Sequence, residues 1–273
     1  MINLLKRSGP WALSIVTVVF TFVPETVFGK CKFSDASDEI NIILTRVLTF
    51  IAILVLSIII NALYLWKRKS VCIKGHNYSI RVEYGDLFEM SACKKVITFD
   101  ECFTTKVGTS PSDVKLNSIC GQYLTKYPMQ AQDMQNLIDA AQLKPAKGKS
   151  KYQNKVRYDS GTLVPKDDYL LMAFARLDAD GLGKFFSRDE FLECLSLLWK
   201  EIDKYYGQED VCISILGSGL TRIGDALLTQ QELLDIIIGS YRLNSHKIKS
   251  PYQLHIVCKE MAGFSLNKIG EKI

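Results

Sequence analysis

From Val47 to Trp66 the chain runs twenty residues without a charged side chain, most of them isoleucine, leucine and valine. A helix rises about 1.5 Å per residue, so a stretch of this length covers the roughly 30 Å hydrocarbon core of a bilayer. It closes on Tyr64 and Trp66 and then on Lys67, Arg68 and Lys69, an interfacial aromatic pair backed by a cationic stop that belongs on the cytoplasmic side. A chain with such a segment cannot fold as one water-soluble body. The residues after Lys69 must build a core of their own.

A weaker apolar segment, Pro10 to Phe28, carries one charge, Glu25, directly after Pro24. Lys6 and Arg7 precede it, and the stretch from Gly29 to Asn41 mixes two lysines with three acids, so the positive-inside rule puts both termini in the cytosol. The expectation is a hairpin over residues 1–69, with spans at about 10–28 and 47–66, in the cell (inner) membrane. A cleaved signal peptide ending near the small residues Val27 and Gly29 is the competing reading of the first segment. Arg46, just before the uncharged run, is either an interfacial anchor or a partner for Glu25, or lines a polar seam between assembled hairpins.

Hydrophobic residues make up 48% of the chain, and the excess over an ordinary soluble protein lies in the first seventy residues. The net charge of +5 is mild and owes much to the two basic clusters flanking the spans, which excludes a nucleic-acid surface. The eight cysteines show no C-x-x-C spacing and no histidine at ligand distance in sequence, so no metal site is expected. The seven cysteines from Cys72 onward are read as reduced, buried, small apolar residues of a cytosolic domain.

In residues 70–273, Tyr78 to Tyr84 alternates like a half-buried strand, Lys95 to Phe99 is a second strand, and Tyr169 to Ala175 is a continuous apolar run suited to burial on both faces. Asn117 to Tyr127 and Met129 to Leu143 read as helices. Ser187 with Glu190, and Thr229 with Glu232, are capping boxes opening amphipathic helices. Val211 to Leu216 and Gln253 to Cys258 complete the strands. The alternation predicts a three-layer α/β domain with a mixed, largely parallel sheet. The polar, basic segment Lys144 to Arg157 is read as a solvated loop or hairpin, with phosphates or the anionic leaflet as its other possible contacts.

Two loops carry potential chemistry. Ile215 to Gly224 places Gly217-Ser218-Gly219 at the C-terminal end of a buried strand, where backbone amides and Arg222 are suited to a diphosphate; a plain tight turn accounts for the glycines equally well. Gly85-Asp86 closes the first predicted strand, either as a turn with a capping acid or as an acceptor for an adenine amino group. Asp178-Ala179-Asp180-Gly181 hints at a calcium loop, but register on Gly181 puts Arg176 and Ser187 at ligand positions, which excludes it.

With VEYGDLF (Val82 to Phe88), TFDECFTT (Thr98 to Thr105), SICG (Ser118 to Gly121) and ILGSGLTR (Ile215 to Arg222) in place, the domain resembles the macro domain, an ADP-ribose-binding fold, and within it the divergent branch found in membrane-anchored effectors of the Thoeris anti-phage defence system. The resemblance covers roughly Tyr78 to Cys258. It implies an ADP-ribose-derived ligand and no other cofactor. Asp86, beside Gly85 and Leu87, would contact adenine; Asp100, Phe103, Thr104 and Thr105 would face the distal ribose; Gly217, Ser218, Gly219, Leu220, Thr221 and Arg222 would cradle the diphosphate; Gly121 joins the set. Ordinary macro domains carry an Asn-Ala-Ala-Asn signature where this chain has Asp100 to Thr105, which argues against hydrolysis. The implied mechanism is a receptor-effector: a TIR-domain enzyme makes the signal from NAD, and its binding drives homo-oligomerisation and disruption of membrane lipid. The alternatives are a membrane-tethered ADP-ribosyl hydrolase using Asp100, Glu101 or Cys102, and a scaffold for ADP-ribosylated proteins.

Overall fold

A computed structural model describes residues 2–28, 30, 37–184, 187–219 and 228–269. The chain divides into two compact units, Met1–Arg68 and Lys69–Ile273.

The first unit holds α1 (Ile2–Phe22), α2 (Glu25–Phe28) and α3 (Asp38–Trp66). Among the described residues α3 alone is long and apolar enough to cross a membrane. It starts at Asp38, well before the uncharged run, because Asp38 and Glu39 suit the positive end of the helix dipole; within it Thr45 returns its hydroxyl to the Asn41 carbonyl at 2.7 Å. The apolar segment expected as one helix from Pro10 to Phe28 is divided. Pro24 has no N–H to donate and biases Val23 away from the helical region, so α1 stops at Phe22 and α2 is a separate turn. The apolar part of α1, Ser8–Phe22, is shorter than a full span.

Helix α1 packs on α3 through small residues one turn apart, Ser8, Ala12 and Val16, all buried. The Ser57 hydroxyl donates to the Ser8 carbonyl at 3.2 Å, and the Asn61 amide donates to the Ser8 hydroxyl at 3.2 Å. Small residues let backbones approach, and polar pairs satisfy one another where water is scarce. Arg46 pairs with Glu25 at 3.0 Å, and its guanidinium lies over the Phe20 and Phe28 rings.

The second unit runs β1 (Ser70–Gly75), β2 (Tyr78–Tyr84), β3 (Cys93–Asp100), α4 (Ile119–Lys126), α5 (Ala131–Ala140), β4 (Leu163–Lys166), β5 (Tyr169–Leu177), β6 (Gly183–Lys184), α6 (Arg188–Tyr205), β7 (Asp210–Ser214), α7 (Gln230–Leu243) and β8 (Leu254–Cys258). The sheet order is β1-β2-β8-β7-β3-β5-β4, with β6 added to β5. The five inner strands β2, β8, β7, β3 and β5 are parallel, and β1 and β4 pair antiparallel at the two edges.

Each sheet face is covered by one helical pair. Phe191, Leu195, Leu198 and Trp199 of α6, with Leu234, Ile237 and Tyr241 of α7, pack against Ile80, Val96, Leu170, Ile213 and Ile256. Tyr123, Met134 and Ile138 of α4 and α5 pack against Ile97, Phe99, Leu171 and Ala173 on the other face. The helices therefore form the outer layers of a three-layer α/β unit, and β5 is buried along most of its length, as its unbroken apolar run predicts. Both capping boxes, Ser187 with Glu190 and Thr229 with Glu232, are formed.

The cysteines depart from expectation. Cys93, which opens β3, and Cys212, midway along the neighbouring β7, are joined as a disulfide with their Cα atoms 6.2 Å apart, so they are not the reduced thiols expected of a cytosolic domain. Cys72 is exposed and Cys102 half-buried, leaving Cys120, Cys194 and Cys258 as the buried free thiols. His255 on β8 sits between carboxylates of its two neighbours, with Nδ1 2.7 Å from Glu83 and Nε2 3.0 Å from Asp210.

Candidate functional site

Parallel strands carry their chain direction to one edge of the sheet, and the loops after them meet there, where open α/β sheets receive ligands. Here β2, β7 and β3 deliver three of the segments singled out above. From β2 to β3 is three strand steps, roughly 14 Å at the usual spacing.

At the end of β2, the Gly85 N–H donates to the Cys258 carbonyl at 3.1 Å, locking this loop to β8. The Asp86 carboxylate accepts the Phe88 N–H at 2.8 Å and caps the short 3-10 turn Leu87–Glu89. It stays half-exposed, while Leu87 turns inward and is buried. The capping role read from sequence is therefore filled, at one carboxylate oxygen.

At the end of β3, Asp100 bends the chain back on itself. One carboxylate oxygen accepts the N–H groups of Cys102 at 2.8 Å and Thr104 at 3.3 Å. Burial pushes this carboxyl above its ordinary range, and the bonds from Thr104 and Cys102 pull against that rise. Phe103 takes a left-handed backbone, φ 53°, and its ring is buried between Phe99 and Tyr158. A bulky residue held in that region is strained, and here the loop curls tightly enough to leave Thr104 and Thr105 half-exposed at the edge.

Glu101 is the residue whose part was least apparent in the sequence. It is 3% exposed; its Oε1 accepts the Ser150 hydroxyl at 2.6 Å and the Leu177 N–H at 3.3 Å, while Oε2 lies 3.6 Å from Arg157. The Tyr158 N–H also donates to the Glu101 carbonyl, so this residue ties the 144–158 segment to β3 and β5. Its partners lie far away in sequence, and no local pattern announces them. The Cys102 thiol is pushed up to about 11, first by burial and then by the Asp100 charge, which disfavours the thiolate a nucleophile requires.

At the end of β7, Ser218 donates through both N–H and hydroxyl to the Ile215 carbonyl, closing a tight turn. Gly217 sits at φ 80°, where a side chain is unwelcome. Among the described residues a Cβ on Gly219 would meet nothing within 4 Å, so they leave that backbone open to close approach. Leu220, Thr221 and Arg222 lie outside the described residues. Gly121 is elsewhere in kind: buried in α4, where a Cβ would run into the Lys115 carbonyl, it permits the close packing of that helix under the preceding loop.

A cavity of about 410 Å³ opens between α6 and α7, lined by Arg188, Phe191, Leu192, Leu228 and Ile236 with Glu232 and Asp235. It includes none of the loop residues described above. Among the described residues no three His, Cys, Asp or Glu side chains stand together as a metal site. Asp178 uses one oxygen to accept the N–H groups of Asp180 and Leu182, shaping its own turn.

Over 267 residues the chain is 27% identical to Thoeris protein ThsA of Bacillus amyloliquefaciens (strain Y2), a match covering 92% of this chain and 84% of that protein. Among solved structures it is similar to the Oceanobacillus iheyensis macrodomain with ADP, at 9% identity over 70% of this chain and 88% of that one, TM-score 0.45. It is also similar to the macrodomain of Thermus aquaticus DarG, at 14% identity over 67% of this chain and 98% of that one, TM-score 0.37. The family model for the macro domain of Thoeris protein ThsA matches residues 80–259, from the first inner strand to the end of the last, and the chain belongs to that family.

Proposed function

We propose that this protein is a membrane-anchored receptor-effector of Thoeris defence: its macro domain binds an ADP-ribose-derived signal made by a TIR-domain partner, and binding drives self-association and disruption of the membrane. The observation that carries this reading is the convergence of the Gly85–Asp86, Asp100–Thr105 and Gly217–Gly219 loops on one edge of the parallel strands in a chain of the ThsA macro-domain family. A ligand laid across that edge would meet a carboxylate at one end, a glycine-rich turn with an open backbone in the middle and threonine hydroxyls at the other. Residues 1–69 would serve as a two-pass hairpin with both termini cytosolic, α3 being the stronger span.

Binding must favour the assembled state over the resting one, because only a difference in affinity shifts an equilibrium. The raised Cys102 thiol and the consumed Glu101 carboxylate favour recognition over hydrolysis. The test is calorimetric titration of the full chain in lipid nanodiscs with ADP-ribose, NAD and amino-acid conjugates of ADP-ribose, with each mixture assayed for products. One ligand should bind, with affinity falling about tenfold or more in Asp86→Ala as a charged hydrogen bond is lost. Turnover would replace the receptor reading with a hydrolase.

A further inference from the structure

The segment between α5 and β4 is a built hairpin. The Ala146 N–H donates to the Arg157 carbonyl at 2.9 Å, the Ser150 N–H donates to the Lys155 carbonyl at 3.0 Å, and Lys149 and Val156 form a bridge pair. Gln153 and Asn154 turn its tip in the left-handed region. The rung next to the tip is pinned by the buried Ser150–Glu101 bond, and the base by Arg157, which lies 3.6 Å from Glu101 and donates to the Lys147 carbonyl at 2.9 Å. On this frame Lys144, Lys147, Lys149, Lys151 and Lys155 are all exposed, Val156 is 42% exposed beside them, and no acidic residue falls between Asp139 and Asp159.

The hairpin's place on the sheet gives this charge a direction. Glu101 follows the C-terminal end of β3, so the hairpin projects from the edge that carries the candidate nucleotide loops. The chain also enters the second unit at that edge: the Tyr84 N–H, at the end of β2, donates to the Lys69 carbonyl at 3.1 Å, and Ser70 pairs with Glu83. Lys69, the last residue of the cationic stop, thus shares an edge with the five hairpin lysines; from β1 to β3, which Glu101 follows, is four strand steps or roughly 19 Å across the sheet.

We infer that the 144–157 hairpin is a second membrane contact, docking on anionic lipid headgroups of the leaflet from which the chain enters the domain. Exposed lysines on a rigid support keep their charge near the surface at little further ordering cost, and Val156 suits the headgroup boundary. A lysine close to an anionic leaflet contributes about 1 kcal/mol, equivalent to about fivefold in the docking equilibrium for each of the five. The inference rests on the anchoring proposed above.

Lysine acylation of the full chain, read by mass spectrometry, tests it in nanodiscs of phosphatidylcholine alone and of phosphatidylcholine mixed with phosphatidylglycerol. In anionic discs the hairpin lysines should label several-fold more slowly, while Lys166, at the opposite end of β5, labels equally in both. About 1 M salt, where screening acts over roughly 3 Å, should remove the protection. A Lys149→Gln, Lys151→Gln pair should return the remaining three lysines to their rate in neutral discs. Equal labelling in both lipids overturns the inference, as does protection in neutral discs by inorganic phosphate, which would mark a soluble-anion site. A chain that does not incorporate into discs refutes the anchoring and this inference with it.

Discussion

Replacing Glu101 separates a buried acceptor from a buried charge. Both strong bonds to this residue end on one atom, Oε1, which takes the Ser150 hydroxyl and the Leu177 N–H; only the longer Arg157 contact uses Oε2. In Glu101→Gln the amide oxygen can occupy the Oε1 position and keep both bonds, giving up a contact of 3.6 Å, at a cost of about 1 kcal/mol. In Glu101→Ala a hydroxyl, a backbone N–H and a guanidinium lose their acceptor inside the protein, which costs about 3–5 kcal/mol. For a unit of this size each kcal/mol moves the melting temperature by roughly 2–4 °C. Thermal unfolding of the full chain in nanodiscs should fall by roughly 6–20 °C for Ala and by roughly 2–4 °C for Gln. Trypsin should also cut the 144–157 hairpin faster in the Ala variant. Equal losses in the two variants would refute the reasoning, since the charge rather than the acceptor would then be what the fold uses.

Gly219→Ala should leave stability within about 0.5 kcal/mol, because its Cβ meets nothing within 4 Å among the described residues, yet weaken nucleotide binding about tenfold where a ligand takes that space; Gly217→Ala, at φ 80°, should cost about 1 kcal/mol before any ligand is added. Thermal shift and calorimetry on the same samples separate the two effects. Thiol alkylation near pH 8 should modify Cys72 first among the described free thiols, and Cys102 about a hundredfold more slowly than an ordinary accessible thiol, since its value rises from 9.0 to about 11. The fold holds the Cys102 thiol protonated, so that contribution to stability is present below about 9 and is lost as the pH climbs towards 11. His255→Ala should cost about 2–3 kcal/mol, read by thermal unfolding, because Glu83 and Asp210 then face a gap where each had a ring nitrogen.

The sequence by itself determined the features that short-range physics writes into neighbouring residues. The uncharged run, the alternation of Tyr78 to Tyr84, the apolar run opening at Tyr169 and the two capping boxes each depend on residues within one or two turns of each other, and the elements stand where those signals place them. The loops at Gly85, Asp100 and Gly217 were legible as strand ends for the same reason. The edge strands were not: β1 comes directly after a basic cluster, and β4 contains Pro165, which only an edge strand tolerates. The apolar segment before α3 was read as continuous, although Pro24 divides it. Tertiary structure alone decided that Leu87 and Phe103 turn into the core, that Gly121 serves close packing, and that Cys93 meets Cys212 across 119 residues of sequence. It also decided that Glu101 joins Ser150, Arg157 and Leu177, and that the basic hairpin and Lys69 emerge on one edge. Such contacts are set by strand order, and strand order depends on how whole faces bury against one another, which no local window of residues contains.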